Sequence, residues 1–436
     1  MAIVFRPDAK RLKELGHGRV AHVPVLFDRN QRYCRAHNAY LRVRAKLEWH
    51  PVSGTSEASA ARGVPLPNTM LRMAYSIANF IDWCEARHVA WEEITYDQVV
   101  TYQDEQMRGT WSSKTKRKLK SETANARADE ATHFLRWAAA ANLRRPFNVR
   151  TVTKARRVRT GTASGTGRSV VLVREGRARQ EHGSSESTLI FLPRAEEVRD
   201  WLRRVKVQRG YAKALACRLI LETGLRKQEL VALTTAQMPS VEMLAHLQAE
   251  GRDVAPIRVT VTKGQRARTI QVPLPLAFEI RNWIDTRRLT LAHRFNRRNQ
   301  DTKKTASERL FISDAPGHEG TVIEHHTIYR CFYEVKPRPR KWSPHFARHA
   351  FACYYLLHAL EGEAKTANSS FRDLGADWVQ SRGRFWLNML RRQLGHVSQD
   401  TTDIYLRWLT TATGISNVAV SWHKFLECAD DATEVP

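Results

Sequence analysis

Apolar positions recur at three- and four-residue spacing through most of the chain and at two-residue spacing in one short region, a pattern that predicts a helix-rich protein with a small sheet. In "NTMLRMAYSIANFIDWCEARHV", Met70, Met73, Ile77, Phe80 and Ile81 form one stripe, and Asn68 or Thr69 can cap the helix start. "NAYLRVRAKLEW" upstream, "TYDQVVTYQDEQMR" and "ANARADEATHFLRWAAAANL" carry the same period, the last stopping before Pro146. Helices without strands between residues 66 and 147 predict a small bundle. The Ser/Gly/Ala-rich "HPVSGTSEASAARGVPLP" ahead of it reads as a hinge.

From residue 148 to 190 the period is lost. This stretch is rich in Arg, Gly, Ser and Thr and nearly free of acids, so it reads equally as a solvated linker or as a cationic segment lying along a phosphate backbone. Periodicity returns after "LIFLP": "RAEEVRDWLRRVKV" and "YAKALACRLILETG" predict helices, the second ended by Gly224 as a C-cap. The two-residue alternation Ile257, Val259, Val261, then Ile270, Val272, Leu274, predicts a hairpin turning near Gly264. "AFEIRNWIDTRRLTLAHRF" is helical again. In "WSPHFARHAFACYYLLHAL", Ser343 suits an N-cap and Pro344 the first helical position, with Phe346, Ala350, Cys353 and Leu357 as the inner stripe. "FWLNMLRRQLGH" predicts an amphipathic helix stopped at Gly395. Asp400 can cap a last helix, with Ile404 and Trp408 facing inward.

Length and charge sharpen this picture. At 436 residues the chain exceeds what one core usually organises, and two domains are the default. Lys and Arg number 71 against 44 Asp and Glu, a formal charge of +27 with a pI near 10.3, spread over many segments. Such a distribution suits a polyanionic partner, nucleic acid before a membrane surface. No window reaches the length of about 20 apolar residues that a spanning helix needs, and the N-terminus lacks the apolar core of a signal peptide. The expectation is a cytoplasmic, nucleoid-associated protein with no membrane partner. Cys34, Cys84, Cys217, Cys331, Cys353 and Cys428 are scattered without metal-ligand spacing, so reduced and mostly buried thiols are expected, with no metal and no cofactor.

Several polar residues sit where chemistry could use them. Arg226 follows the Gly224 cap near the start of the next helix, where backbone N–H groups and a guanidinium can face an anion, and Glu229 three residues on can hold that guanidinium. By itself such a pair is ordinarily a surface contact. Lys263 falls at a hairpin tip, where a lysine is ordinarily just solvated. His345 and Arg348 share a face at the start of their helix, ordinarily a cap beside a surface arginine, and His349 one turn later reads as structural. His396 stands at the mouth of the helix ended by Gly395, and Tyr405 in the second turn of the last helix, where a tyrosine is ordinarily core or rim.

Together and in this order, Arg226, Lys263, His345, Arg348, His396 and Tyr405 resemble the tyrosine recombinases, or phage integrase family. The motifs stand here as "TGLRKQEL", "TKGQRARTIQVP", "HFARHAFA" and "LGHVSQDTTDIY". The resemblance covers residues 190–410 well and residues 25–147 more loosely. It implies an α+β protein in which a helical, SAM-like core-binding domain and a mixed, mainly α catalytic domain with a small antiparallel sheet form a C-shaped clamp on double-stranded DNA. The corresponding division is an N-terminal extension (1–65), a core-binding domain (66–147), a basic linker (148–190), a catalytic domain (191–412) and a tail (413–436). The implied chemistry is metal- and ATP-independent: Tyr405 attacks the scissile phosphate to give a 3′-phosphotyrosyl link. Arg226, Arg348 and His396 neutralise the phosphate, Lys263 protonates the leaving 5′ oxygen, and His345 takes the phenol proton or orients the phosphate. The resemblance further implies a homotetramer at synapsis, a second recombinase as a partner in some systems, and service to integration, excision or transposition of a mobile element. A relaxing topoisomerase or hairpin resolvase with the same chemistry, and a DNA-bridging protein that no longer cuts, are the competing readings. The connection "EGEAKTANSSFRDLGADWVQSRGR" between Arg348 and His396 departs from the family as an insertion, and the linker is unusually long. "ISNVAVSWHKFLECADD" in the tail reads either as a segment docking on a neighbouring subunit or as a local terminal helix.

Overall fold

A computed structural model describes residues 1–51, 64–111, 117–159, 166–179, 192–262, 266–369, 374, 376–396 and 400–410. The chain divides into two units, Met1–His182 and Gly183–Pro436, each with its own core. It is mainly helical with three two-stranded antiparallel sheets among the described residues.

In the first unit, β1 (Ile3–Phe5) pairs with β2 (Val25–Phe27), with α1 (Ala9–Glu14) between them in sequence, and α2 (Arg35–Lys46) follows. The bundle continues with α3 (Pro67–Ala86), α4 (Tyr96–Arg108) and α5 (Ser121–Ala140). Met70, Met73, Ile77, Phe80 and Ile81 of α3 are all buried, as their spacing requires. The helix starts at Pro67, ahead of the polar caps read from the sequence, because proline's fixed φ suits the first helical position; Asn68 and Thr69 lie inside the first turn. Thr95 caps α4 through a capping box with Gln98, and Gly109 ends it in the left-handed region at φ 80°. The N-terminal residues are part of this core and not a separate extension. Ala2, Leu26, Tyr40 and Leu41 pack in one cluster with Met70, Phe80 and Phe134, and Asn38 bonds both backbone groups of Leu26 at 2.8 Å.

The stretch read as a linker carries a second hairpin. Strands β3 (Thr151–Arg159) and β4 (Thr166–Arg174) pair over nine residues each. Its base is strapped to the bundle: Arg174 is buried and bonds Asp129 at 2.6 Å and Gln103, while Tyr96 donates to the Glu175 carbonyl at 2.5 Å. Asn125 exchanges two bonds with the Ala178 backbone, at 2.9 and 3.0 Å. Composition alone concealed this element, because its strands, TVTKARRVR and TGRSVVLVR, carry no regular two-residue alternation of apolar and polar positions.

The second unit opens with α6 (Ala195–Arg209) and α7 (Tyr211–Thr223), the latter ended by Gly224 at φ 67°. A short α8 (Lys227–Ala232) and α9 (Val241–Ala249) lead to β5 (Val254–Val259) and β6 (Arg268–Pro273), which pair Ile257 with Ile270 and Ala255 with Val272. Alternate residues of both strands are buried. Val261 lies past the strand end and is exposed, so the alternation read from the sequence stops one step earlier. Then come α10 (Leu274–Trp283), α11 (Leu289–Arg298), α12 (His325–Glu334), α13 (Pro344–Thr366), α14 (Ala376–Leu394) and α15 (Asp400–Thr410).

Ser343 caps α13 by accepting from the Phe346 N–H at 3.1 Å, with Pro344 in the first turn. Phe346, Ala350 and Cys353 are buried, but Leu356 and Leu360 complete the stripe where Leu357 was expected. In the stretch read as an insertion after Arg348, Glu363 of α13 holds Arg382 of α14 at 2.6 and 2.7 Å and accepts from the Trp386 indole at 3.0 Å. On α15, Tyr405, Leu406 and Leu409 are buried while Ile404 and Trp408 are only half-buried, a rotation from the expected inner face. Cys84, Cys217, Cys331 and Cys353 are buried and Cys34 half-buried, all free thiols. The hinge at 52–63, the turn at Gly264, the tail from 411 and Cys428 lie outside the described residues. Among the described residues no helix is long and apolar enough to cross a membrane.

Candidate active site

The ends of α7 and α14, the start of α13, strand β6 and helix α15 meet at one place. Gln393, near the end of α14, fixes the junction: its side chain accepts from the Gln271 N–H at 2.8 Å and donates to the Gln271 and Thr223 carbonyls at 3.0 and 3.2 Å. That ties α14 to the edge of β6 and to the last turn of α7. Two left-handed glycines let the chains close. A Cβ on Gly224 would fall 2.6 Å from Phe351, and one on Gly395 would fall 2.7 Å from Arg268.

Around this junction stand three guanidinium groups and one buried carboxylate. Glu229, 2% exposed, accepts from Arg226 at 2.9 Å and from Arg268 at 2.9 and 2.7 Å. It also accepts from the backbone N–H of Arg226 at 3.0 Å, which fixes Arg226 at the mouth of α8. Burial pushes the Glu229 carboxyl up, yet the bonds from Arg268 and Arg226 outweigh it and hold it below the usual range. Arg348 is 2% exposed and donates to carbonyl oxygens, Gly224 at 2.5 Å and Leu394 at 2.6 Å. Burial, with Arg226 beside it, lowers its pKa to about 9, so it stays charged at neutral pH. Three cations against one anion leave a local excess of two positive charges.

Arg226 and Arg348 open onto a cleft of about 280 Å³ shared with Lys227, Tyr329, Ser343 and His345. Tyr405 lies 1% exposed, and its hydroxyl bonds His349 Nδ1 at 2.8 Å. His349 Nε2 in turn meets His345 Nε2 at 3.1 Å. A continuous chain therefore runs from the phenol through His349 to the histidine at the cleft. Burial holds the Tyr405 phenol well above its usual range, against the pull of Arg348 and Arg226. Burial, then the neighbouring His345 and Arg348, holds His349 neutral down to a pKa of about 4. His396 stacks on Tyr405 with ring centroids 6.4 Å apart, bonds Thr402 through Nδ1 at 3.1 Å, and is pushed to about 3 by burial and then by Arg348 and Arg226.

The structure thus brings together Arg226, Glu229, His345, Arg348, His396 and Tyr405. Lys263 lies outside the described residues. Sequence reasoning set His349 aside as structural, although its i, i+4 spacing from His345 put both rings on one face. It passed over Arg268 and Gln393 entirely. Nothing in the sequence marked these two, since their partners come from elements far along the chain.

No family model and no curated protein matches the chain. Among solved structures, the chain is similar to XerH site-specific recombinase bound to palindromic difH substrate, in a post-cleavage complex, at 12% identity, 96% of this chain and 98% of that chain, with a TM-score of 0.48. The pre-cleavage complex of XerH with difH is similar at 12% identity, 96% and 97% coverage and a TM-score of 0.44. At scores under 0.5, the reading that follows stands on the site's own geometry.

Proposed function

We propose that this protein is a tyrosine-type site-specific DNA recombinase. One observation carries the reading: a phenol joined through two histidines to a cleft lined by the cations Arg226, Lys227 and Arg348 and, among the described residues, by no acidic side chain. An in-line attack on a phosphodiester builds a second negative charge on the non-bridging oxygens, and the guanidinium groups of Arg226 and Arg348 match that change. Forked donors suit the task better than lysine.

In this reading Arg226 and Arg348 hold the two non-bridging oxygens, with Glu229 and Arg268 behind Arg226 to fix its fork. His396 is the third donor. The reading requires the tautomer in which Thr402 donates to Nδ1 and Nε2–H is the donor to the phosphate. Tyr405 O–H passes its proton to His349 Nδ1 as His349 Nε2–H passes its own to His345. The phenolate oxygen then bonds phosphorus and the P–O5′ bond breaks, with Lys263 supplying the proton to the departing 5′ oxygen. A relay suits His349 better than a store, because a ring with a pKa near 4 does not hold an extra proton at neutral pH and passes one on from Nε2 as it receives one at Nδ1. The 3′-phosphotyrosyl link conserves the phosphodiester, so rejoining to another strand needs neither ATP nor metal. Strand exchange within a homotetramer on duplex DNA, in the service of a mobile element, completes the proposal.

With Tyr405 only 1% exposed, α15 shifts before the phenol reaches a phosphate. A chain that never made that shift would be a DNA-binding protein only. Incubating the protein with a nicked suicide substrate separates the two: a covalent DNA adduct, absent in Tyr405→Phe, is expected, and binding without any adduct overturns the enzyme reading. For Lys263→Ala, cleavage of a substrate with a 5′-thio leaving group should recover, since sulfur leaves without protonation; no recovery removes Lys263 as the acid.

A further inference from the structure

The first unit carries a two-stranded ribbon whose chemistry the site above does not use. Strands β3 and β4 contain Lys154, Arg156, Arg157, Arg159, Arg168 and Arg174, and neither strand contains an aspartate or glutamate. Arg174 at the base is spent on Asp129 and Gln103. The other five lie along the outer part, and in the ladder Arg157 stands directly opposite Arg168. Among the described side chains of the two strands, Val152 is 40% and Leu172 68% exposed. A lone two-stranded hairpin is marginal in water, and here the straps hold its base, through Tyr96, Gln103, Asn125 and Asp129.

We propose that the β3–β4 ribbon is a DNA-gripping arm that lies in a groove of duplex DNA, with Arg156, Arg157, Arg159 and Arg168 on the phosphates. Dimensions and charge both favour this occupant. Nine paired residues span about 30 Å, roughly one turn of duplex, and a two-stranded ribbon is narrow enough for a major groove about 12 Å wide. A protein surface would have to offer a run of acids to match five cations; the duplex offers them at every step. The inference deepens the recombinase reading and rests on it for the choice of DNA, but it adds a holding surface remote in sequence from the cutting residues.

The test uses the full chain and a fluorescein-labelled duplex of arbitrary sequence, with its single strand for comparison, read by anisotropy across a salt series. Changing Arg156, Arg157, Arg159 and Arg168 together to Gln should weaken duplex binding at least about tenfold near 200 mM salt and lower the log–log salt slope by about 0.9 for each phosphate no longer neutralised. The same four changed to Lys should keep most of the affinity and the slope. Arg157→Thr with Arg168→Thr should weaken binding while leaving the melting temperature unchanged or higher. An unchanged affinity and slope in the Gln variant overturns the proposal. So does an equal loss in the Lys variant, which would place the effect in folding and not in charge, or a loss confined to the single strand. Suicide-substrate adducts separate this from the enzyme reading. If the parent protein loses binding on the Gln change but never links to DNA, the arm stands and the recombinase falls; if it links to DNA yet the Gln change moves nothing, the reverse holds.

Discussion

Arg174 in the first unit and Arg348 in the second are both arginines exposed by only a few per cent, and they are satisfied in opposite ways. Arg174 meets Asp129, which also pairs with Arg177, so its charge is met by a carboxylate. Tyr40, Glu130 and Arg44 form a similar closed group in the same bundle. Arg348 instead spends its donors on two carbonyl oxygens, and the Glu229 carboxylate near it is already shared by Arg226 and Arg268. Polar burial in the first unit holds the bundle and straps the ribbon to it. In the second unit it leaves charge uncompensated at a cleft. A buried cation without a counter-ion costs stability, and that cost is sensible where an anion is to arrive.

Removing each arginine should expose that difference most sharply. Arg348→Ala is expected to slow cleavage of a suicide substrate by about a thousandfold or more while the melting temperature holds or rises, since it deletes a desolvated charge. Arg174→Ala should do the reverse, lowering stability by about 3 kcal/mol in denaturant titration while the cleavage rate on saturating DNA stays within a few-fold. Equal stability losses in the two variants would erase the distinction. A smaller effect is expected at Gly383, where an added Cβ would meet Leu406 Cδ1 at 2.5 Å. Leu406 adjoins Tyr405 and its tip can move, so Gly383→Ala should leave stability within about 1.5 kcal/mol yet change the cleavage rate several-fold, measured in single turnover.

The smallest expected effect concerns pH. His37 and His133 in the first unit, and His349 and His396 in the second, are all held neutral mainly by burial, with pKa values of about 3, 3, 4 and 3. Each binds its proton more readily when unfolded, so stability from them is present above about pH 6.5 and is lost as pH falls from there towards 4 and 3. His37 stacks on Phe134, and among the described residues its Nε2 has no hydrogen-bond partner. His37→Phe should therefore flatten part of the acid loss in melting temperature without touching cleavage, whereas His349→Phe should flatten it and also slow cleavage. A His37→Phe variant that loses stability at every pH would contradict this.

The helices and the β5–β6 hairpin were legible because their apolar stripes are long and regular: Met70 to Ile81 in α3, and Ile257 opposite Ile270. Arg226, Glu229, His345, Arg348, His396 and Tyr405 stand together because motif order reports on elements that meet at one junction. What escaped depends on tertiary packing. Arg268 reaches Glu229 across 39 positions and Gln393 reaches Thr223 across 170, distances at which a single sequence carries no pairing signal. The β3–β4 ribbon escaped for a different reason: a strand studded with arginines shares its composition with a solvated linker. For Tyr405, the ordinary reading as a core residue and the reading as a nucleophile both describe the same state, a phenol that is buried and hydrogen-bonded into the site.

All of the proposed chemistry depends on Tyr405, and no other hydroxyl, making the link to DNA. Trapping the adduct on a suicide substrate, digesting protein and DNA, and sequencing the cross-linked peptide by mass spectrometry tests this most directly. A 3′-phosphonucleotide on Tyr405, in the peptide containing "QDTTDIYLR", is the expected result. A link to Tyr354 or Tyr355 on α13, to a serine, or no link at all on a duplex that the protein binds would contradict it.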